Sequence, residues 1–406
     1  MRYWFRIGVL MIISAVFSAC EDEIDKSGSL PEAQTKQVTY LLYMVGQNDL
    51  KEYLNENIRD LKVGFGKTDI DANILVYADI SSMPSLYLIG KDISGKVQQT
   101  LVKTYPDQFS VDPDVMRCVI NEVFSMYPAD KKGITFSSHA DGSLYTDRTI
   151  NKRSFGSEGS QRYGMNVTDI REVLDGCPDM DLVMFDACMM ASVETAYELK
   201  NNTHYLLAAP NTVPAEGFPY DRILPYLLQM DEVGIVSAAQ DYMKYFEENE
   251  NEWDDFVAVS VTDVSRIDLL ALYMDSLFQD VAVQEIPSLL NRTELQLFER
   301  NYPLYDYLHW VDSLGRSNRF VQKIRRELDN IVVYKAHGEY SSVNNYTGLL
   351  EIPVRNETFC GLNTYVPSNY SINEKGDMQF FTTLKWYRDA GFWRVPFYKL
   401  HEKNGC

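Results

Sequence analysis

Two residues of this sequence have the chemistry of an acyl-transfer site. Cys188 stands in DLVMFDACMMAS (181–192), just past an apolar run, Leu182 to Phe185, that stops at Asp186. His139 stands in the same way at the end of GITFSS (133–138). A thiol becomes a strong nucleophile once a base takes its proton, and an imidazole can hand a proton to a leaving amine. The two residues lie 49 positions apart (139 to 188). That spacing suits a pair that meets in space rather than along the chain.

The elements around them explain how they could meet. A short, wholly apolar run that ends in small polar residues is the pattern of a parallel strand buried on both faces. Reactive groups collect at the carboxyl edge of such a sheet, and one helical crossover between the two runs would bring their ends side by side. Further strands are expected at Thr39–Val45, Asn73–Ala78, Tyr205–Ala209 and Phe256–Val261, with a hairpin or edge pair at Ser85–Ile89 and Gln98–Lys103. Helices are expected at Lys51–Leu61, capped by Asn48 or Asp49, and from Asp112-Pro113 to about Tyr127. Others are expected from Thr168, over Ala191–Leu199, around 223–228 and 232–247, and from Val264 to Phe278. This alternation is that of an α/β fold. A helix starting just after Cys188 would aim its free N–H groups at the thiol and lower its pKa. Beyond residue 280 a helical stretch at 301–335 precedes strands at 347–353 and 361–366. The chain thus divides into a catalytic half, 37–280, and a remainder, 281–406, that is either a separate domain or part of the same sheet.

FDACMMASVETAYEL resembles the nucleophile segment of the clostripain-like (C11) cysteine peptidases, and SSHADGS sits where that family has its catalytic histidine. YLLYMVGQNDLKEYL (40–54), AAPNTVPAEGFPY (208–220) and GLNTYVPSN (361–369) agree with it as well. The resemblance covers roughly 38–370 and implies a caspase-like α/β fold, mostly parallel, with Cys188 as nucleophile and His139 as its partner. It implies an oxyanion hole formed by the N–H groups of Cys188 and of the residue after the histidine. That residue is commonly glycine in the family; here it is Ala140, which keeps the N–H unless the turn demands a positive φ, and the family's tryptophan nearby is missing. The resemblance further implies cleavage after Arg or Lys, with Asp186 and Glu216 as the acidic residues that receive the basic side chain. Carboxylates suit that task because they accept charge-assisted, often bidentate, hydrogen bonds from a guanidinium. From the residues alone, Asp186 could instead cap a helix and Glu216 could be a plain loop residue. Relatives activate themselves by cutting after a basic residue between histidine and cysteine. The candidates here are Arg153, Lys152 and Arg148, in that order, in a loop rich in small residues. Calcium serves some relatives, but no ligand set stands out in a chain this acidic.

Composition bounds the remaining possibilities. With 406 residues, 45% hydrophobic and 24% charged, the chain can bury one large domain or two smaller ones. A net charge of −20 repels nucleic-acid phosphates, so no nucleic-acid partner is expected. Arg2 and Arg6 beside the apolar run Ile7–Phe17, followed by Ser18-Ala19-Cys20, form a targeting segment. It resembles a lipoprotein signal (1–20) with Cys20 as the lipidated residue, a tether at 21–36, and an acidic Glu21-Asp22-Glu23 that suggests an outer-membrane lipoprotein. The other cysteines, Cys118, Cys177, Cys360 and Cys406, have no C-x-x-C and no regular spacing, so no disulfide framework or zinc site is expected. His204, His309, His337 and His401 are expected to be structural, and the protein a monomer. Two other readings use the same residues: a catalytically silent surface protein that binds peptides, and an acyltransferase or ligase.

Overall fold

In the computed structural model, the described residues are 35–143, 155–158, 163–249, 255–280, 295–299, 304–341, 352–366 and 375–395. Cys20, Arg148, Lys152, Arg153, His401 and Cys406 lie outside them, as do the signal segment and nearly all of the tether.

In chain order the elements are β1 (Lys36–Val45), α1 (Lys51–Gly66), β2 (Ala72–Asp79), β3 (Ser85–Lys91), β4 (Val97–Thr104), α2 (Pro113–Met126) and β5 (Ala129–Ser137). A small hairpin, β6 (Phe155–Glu158) and β7 (Tyr163–Met165), leads through α3 (Val167–Leu174) to β8 (Met180–Asp186) and α4 (Val193–Glu198). Then come β9 (Thr203–Ala208), α5 (Tyr220–Leu227), α6 (Glu232–Asn249), β10 (Ala258–Asp263) and α7 (Asp268–Asp280). The chain continues with β11 (Leu297–Glu299), β12 (Leu304–Asp306), α8 (Tyr307–Ser313), α9 (Arg319–Ile331), β13 (Val332–His337) and β14 (Tyr340–Ser341). It closes with β15 (Ile352–Pro353), β16 (Asn363–Tyr365), α10 (Lys375–Phe381) and α11 (Lys385–Asp389).

The main sheet has the order β13-β10-β9-β8-β5-β1-β2-β3-β4. Its centre, β9-β8-β5-β1-β2, is parallel, and each flank carries an antiparallel pair. Alternate residues of β1 serve two cores. Leu41, Tyr43 and Val45 face one hydrophobic cluster, and Tyr40, Leu42 and Met44 the other. That two-sided burial is why the strand reads as an unbroken apolar run. Phe136 of β5 stacks on Phe185 of β8, with ring centroids 5.4 Å apart. The register pairs Met44 with Ser137 and Ser137 with Asp186, so β1, β5 and β8 end on one line. Because β2 and β5 lie on opposite sides of β1, the direction of winding changes there, which leaves a crevice at the carboxyl edge.

The segment expected to be helical over 301–335 is two helices with strands at both ends. Gly315, at φ 131°, breaks α8 from α9, and Asn318 caps α9 by accepting from the Phe320 N–H. The β-branched Val332 and Val333 then leave the helix for β13, which pairs antiparallel with β10. The C-terminal region therefore supplies the edge strand of the main sheet, and the described residues belong to one compact unit.

Candidate active site

His139 follows β5 by two residues. Ser138 anchors the turn by donating from Oγ to the Val45 carbonyl at 2.6 Å, and the His139 carbonyl accepts from the Gly156 N–H at 2.8 Å. The ring's Nε2 lies 2.8 Å from Oδ1 of Asp49, in the turn between β1 and α1. Neither residue expected to cap α1 does so from its own N-cap position. That position is Leu50, whose N–H is taken by Asn48 Oδ1, while Asp49 turns to the histidine. Ala140 is buried, and no positive φ falls on it; the left-handed residue of this turn is Gly142 at φ 76°. Alanine thus meets no left-handed φ penalty here.

Cys188 follows β8 by two residues and is half-buried. Its Sγ accepts from the Val213 N–H at 3.4 Å. Met189, directly after it, has φ 62°, a conformation that costs a side-chain-bearing residue energy unless its surroundings hold it. They do so here. The Met189 N–H donates to the Asn211 carbonyl at 2.8 Å, and the Met189 carbonyl accepts from Asn363 Nδ2 at 3.1 Å. The expectation that helix N–H groups reach the thiol is corrected. α4 starts only at Val193, five residues on, and the Ser192 Oγ cap takes the Thr195 N–H of its first turn. A backbone N–H of the 208–220 loop contacts the sulfur instead.

His139 and Cys188 line one cavity of about 250 Å³, together with Ser138, Asp186, Val213 and Gly217. Asp186 does not cap a helix. It is buried, and its Oδ2 accepts from Tyr220 Oη at 2.9 Å and from Ser137 Oγ at 3.4 Å. Burial pushes its carboxyl up to about 6, against the opposing pull of Tyr220, the Phe218 N–H and Ser137. Gly217 explains the GFPY motif. It has φ 70°, and a Cβ there would stand 2.8 Å from the Asp186 carboxylate. Glu216 is half-buried, with its carbonyl accepting from Asn57 Nδ2 at 2.9 Å; the cavity wall takes Ala215 and Gly217 rather than Glu216.

Among the described residues, two other cysteines and three other histidines serve the structure. Burial raises the thiol of Cys177 to about 12 and that of Cys360 still higher, which leaves both inert as nucleophiles. His204 stacks on Tyr205, His309 Nδ1 accepts from the Gln296 N–H, and His337 Nε2 pairs with Asn356. Among the described residues, no group of three or more His, Cys, Asp or Glu is placed to hold a metal ion, and no helix is long and apolar enough to cross a membrane. Sequence reasoning missed Asp49 and Asn363, although both lie in stretches already singled out. Asp49 was assigned to a helix cap, and nothing in GLNTYVPSN says which partner its asparagine meets.

The Clostripain family model matches residues 42–394. A secreted C11 cysteine protease from Bacteroides thetaiotaomicron, solved with an irreversible peptide inhibitor, superposes with a TM-score of 0.76 at 27% identity, covering 88% of this chain and 99% of that one. An inactive zymogen C11 protease from Parabacteroides distasonis gives 0.74 at 26%, with the same coverage. Clostripain of Hathewaya histolytica is 24% identical over 221 residues, which is 47% of this chain and 42% of that protein, so the match spans less than half of the curated relative. The chain, with Cys188 and His139 at the carboxyl edge of its central sheet, belongs to the clostripain family.

Proposed function

We propose that the protein is a cysteine endopeptidase that cuts after Arg or Lys. The observation that carries this reading is the shared cavity of His139, Cys188 and the buried Asp186. Cys188 Sγ attacks the scissile carbonyl carbon, the C–N bond breaks as the leaving amine takes a proton from His139, and an acyl-thioester remains. Water, deprotonated by His139, then attacks that thioester, releases the acid and restores the thiol. The N–H groups of Cys188 and Ala140 are the proposed donors to the tetrahedral oxyanion.

Asp186, at the cavity wall, is the proposed acceptor for a basic side chain, with Glu216 next to Gly217 as the second carboxylate. Self-cleavage after Arg153, Lys152 or Arg148 is the proposed activation step. It would cut the chain between β5 and β6, just ahead of the segment that bonds to the His139 carbonyl. The relatives described as a secreted protease and as an inactive zymogen are in keeping with export and activation. Anchoring through a lipidated Cys20 to the outer membrane belongs to the same reading. No step requires a metal, and unchanged turnover in a chelator checks that.

The test is hydrolysis of peptides carrying Arg, Lys, Asp, Asn or Ala before the scissile bond, with Cys188→Ala alongside. Turnover confined to Arg and Lys, and absent from the variant, is expected. Turnover only after Asp or Asn removes the pocket roles of Asp186 and Glu216, and none from a folded, processed chain favours a silent peptide-binding protein.

A further inference from the structure

The reading above uses His139 but leaves open what fixes its ring. Asp49 Oδ1 is 2.8 Å from Nε2, and the Asp49 side chain is 82% exposed. Both backbones are braced by the same strand. Asn48, beside Asp49, donates from Nδ2 to the Ser157 carbonyl at 2.9 Å, and the Gly156 N–H donates to the His139 carbonyl at 2.8 Å. On the other side of Asn48, Gln47 is tied to Asp79 by a 2.6 Å bond from Nε2 to Oδ1. An exposed carboxylate on a free loop would be a poor guide for a ring, but this one follows two side chains that are tied to β2 and β6, and the next residue, Leu50, donates its N–H to Asn48 Oδ1 at 2.9 Å.

We propose that Asp49 is the positioning residue of His139: by accepting from Nε2 it fixes the ring's tautomer and leaves Nδ1 to exchange the proton with the Cys188 thiol and the leaving amine. A carboxylate has no proton to give, so the shared hydrogen belongs to the imidazole. A neutral ring that donates from Nε2 has its lone pair at Nδ1. When His139 takes the thiol proton, the carboxylate also faces the new positive charge, and a substrate laid over the cavity removes water from between them. This assignment rests on the peptidase reading for its consequence, but its geometry can be measured without turnover.

Two experiments on the full chain test it. In Cys188→Ala, which cannot turn over, the ring-nitrogen NMR signals of His139 are expected to report the Nε2–H tautomer. Asp49→Ala in that background is expected to abolish the preference, and Asp49→Asn to keep it, because the amide oxygen still accepts. A predominant Nδ1–H tautomer with Asp49 intact overturns the proposal. In the otherwise native enzyme, Asp49→Ala is expected to lower kcat about tenfold to a hundredfold with KM nearly unchanged, the cost of a misaligned proton-transfer group, and Asp49→Asn to recover most of it. An Asp49→Ala enzyme with native kcat overturns the inference while leaving the peptidase reading intact. So does an Asp49→Asn enzyme no better than Asp49→Ala, or an effect confined to KM. A native chain that shows the expected tautomers but hydrolyses no peptide defeats the peptidase reading and, with it, the mechanistic role given to Asp49.

Discussion

At the scale of single residues, Asp186 carries the sharpest contrast. The same carboxylate ties down the GFPY loop through Tyr220 and faces the cavity beside Cys188. Its folded pKa is raised by burial above the ordinary Asp value, so between the two values the folded chain binds the extra proton. Its contribution to stability is therefore most favourable below the ordinary carboxylate range and weakens as pH rises to about 6. In the proposed pocket, the charge that would hold a basic side chain appears over that same rise. kcat/KM for an Arg peptide is expected to show an acid limb near 6, carried mainly by KM. Asp186→Asn should lose that limb and about a hundredfold of kcat/KM for Arg, with little change for an Ala peptide. A pH series on both proteins with both peptides measures this; an acid limb that persists in Asp186→Asn would assign it to another group.

At the scale of elements, the loop after Cys188 is secured from the C-terminal region. Asn363, fully buried at the start of β16, donates from Nδ2 to the Met189 and Pro210 carbonyls, and its N–H donates to the Ala191 carbonyl. Glu194 of α4 adds a second tie by accepting from Thr364 Oγ1 at 2.7 Å and from the Tyr365 N–H at 3.1 Å. Removing the Asn363 amide leaves two buried carbonyls without that donor, so Asn363→Ala should cost about 2–4 kcal/mol in urea unfolding and slow alkylation of Cys188. The sheet that these ties serve was legible because burial on both faces writes strands as apolar runs; β1, β2, β8, β9 and the second half of β5 follow that rule, while the first half of β5 carries the exposed Asp130 and the partly exposed Lys131 and Lys132. Cys188 and His139 were legible because they end two of those runs. What was not legible depends on partners distant in sequence. No local pattern links Asn363 to Met189, Asp49 to His139 or β13 to β10. The helix expected over Ala191–Leu199 is α4, but it starts too late to aim its N–H groups at the thiol for a local reason: Met189 adopts a left-handed conformation, and Ser192 rather than Asp186 supplies the cap.

At the scale of the whole molecule, the proposed cut after Arg148, Lys152 or Arg153 divides the chain without dividing the sheet. β5 would lie in the first piece and β8 in the second, and they pair over five residues from Gly133–Leu182 to Ser137–Asp186. Phe155, just past the proposed cut, is fully buried against Phe136 and Phe185. The two pieces should therefore co-elute at the mass of the uncut protein and separate only in denaturant. Size-exclusion chromatography followed by a denaturing gel checks this, and pieces that part under native conditions would contradict the shared core.

The central claim is that Cys188, activated beside His139, is the nucleophile. Covalent labelling tests it most directly: the protein is incubated with a short peptide that ends in Arg and carries an acyloxymethyl ketone, digested, and read by mass spectrometry. One label per chain on the peptide that contains Cys188, lost in His139→Ala and blocked by excess Arg substrate, is the result predicted. A label on Cys118, Cys177 or Cys360 instead, or labelling of Cys188 indifferent to His139, would contradict it.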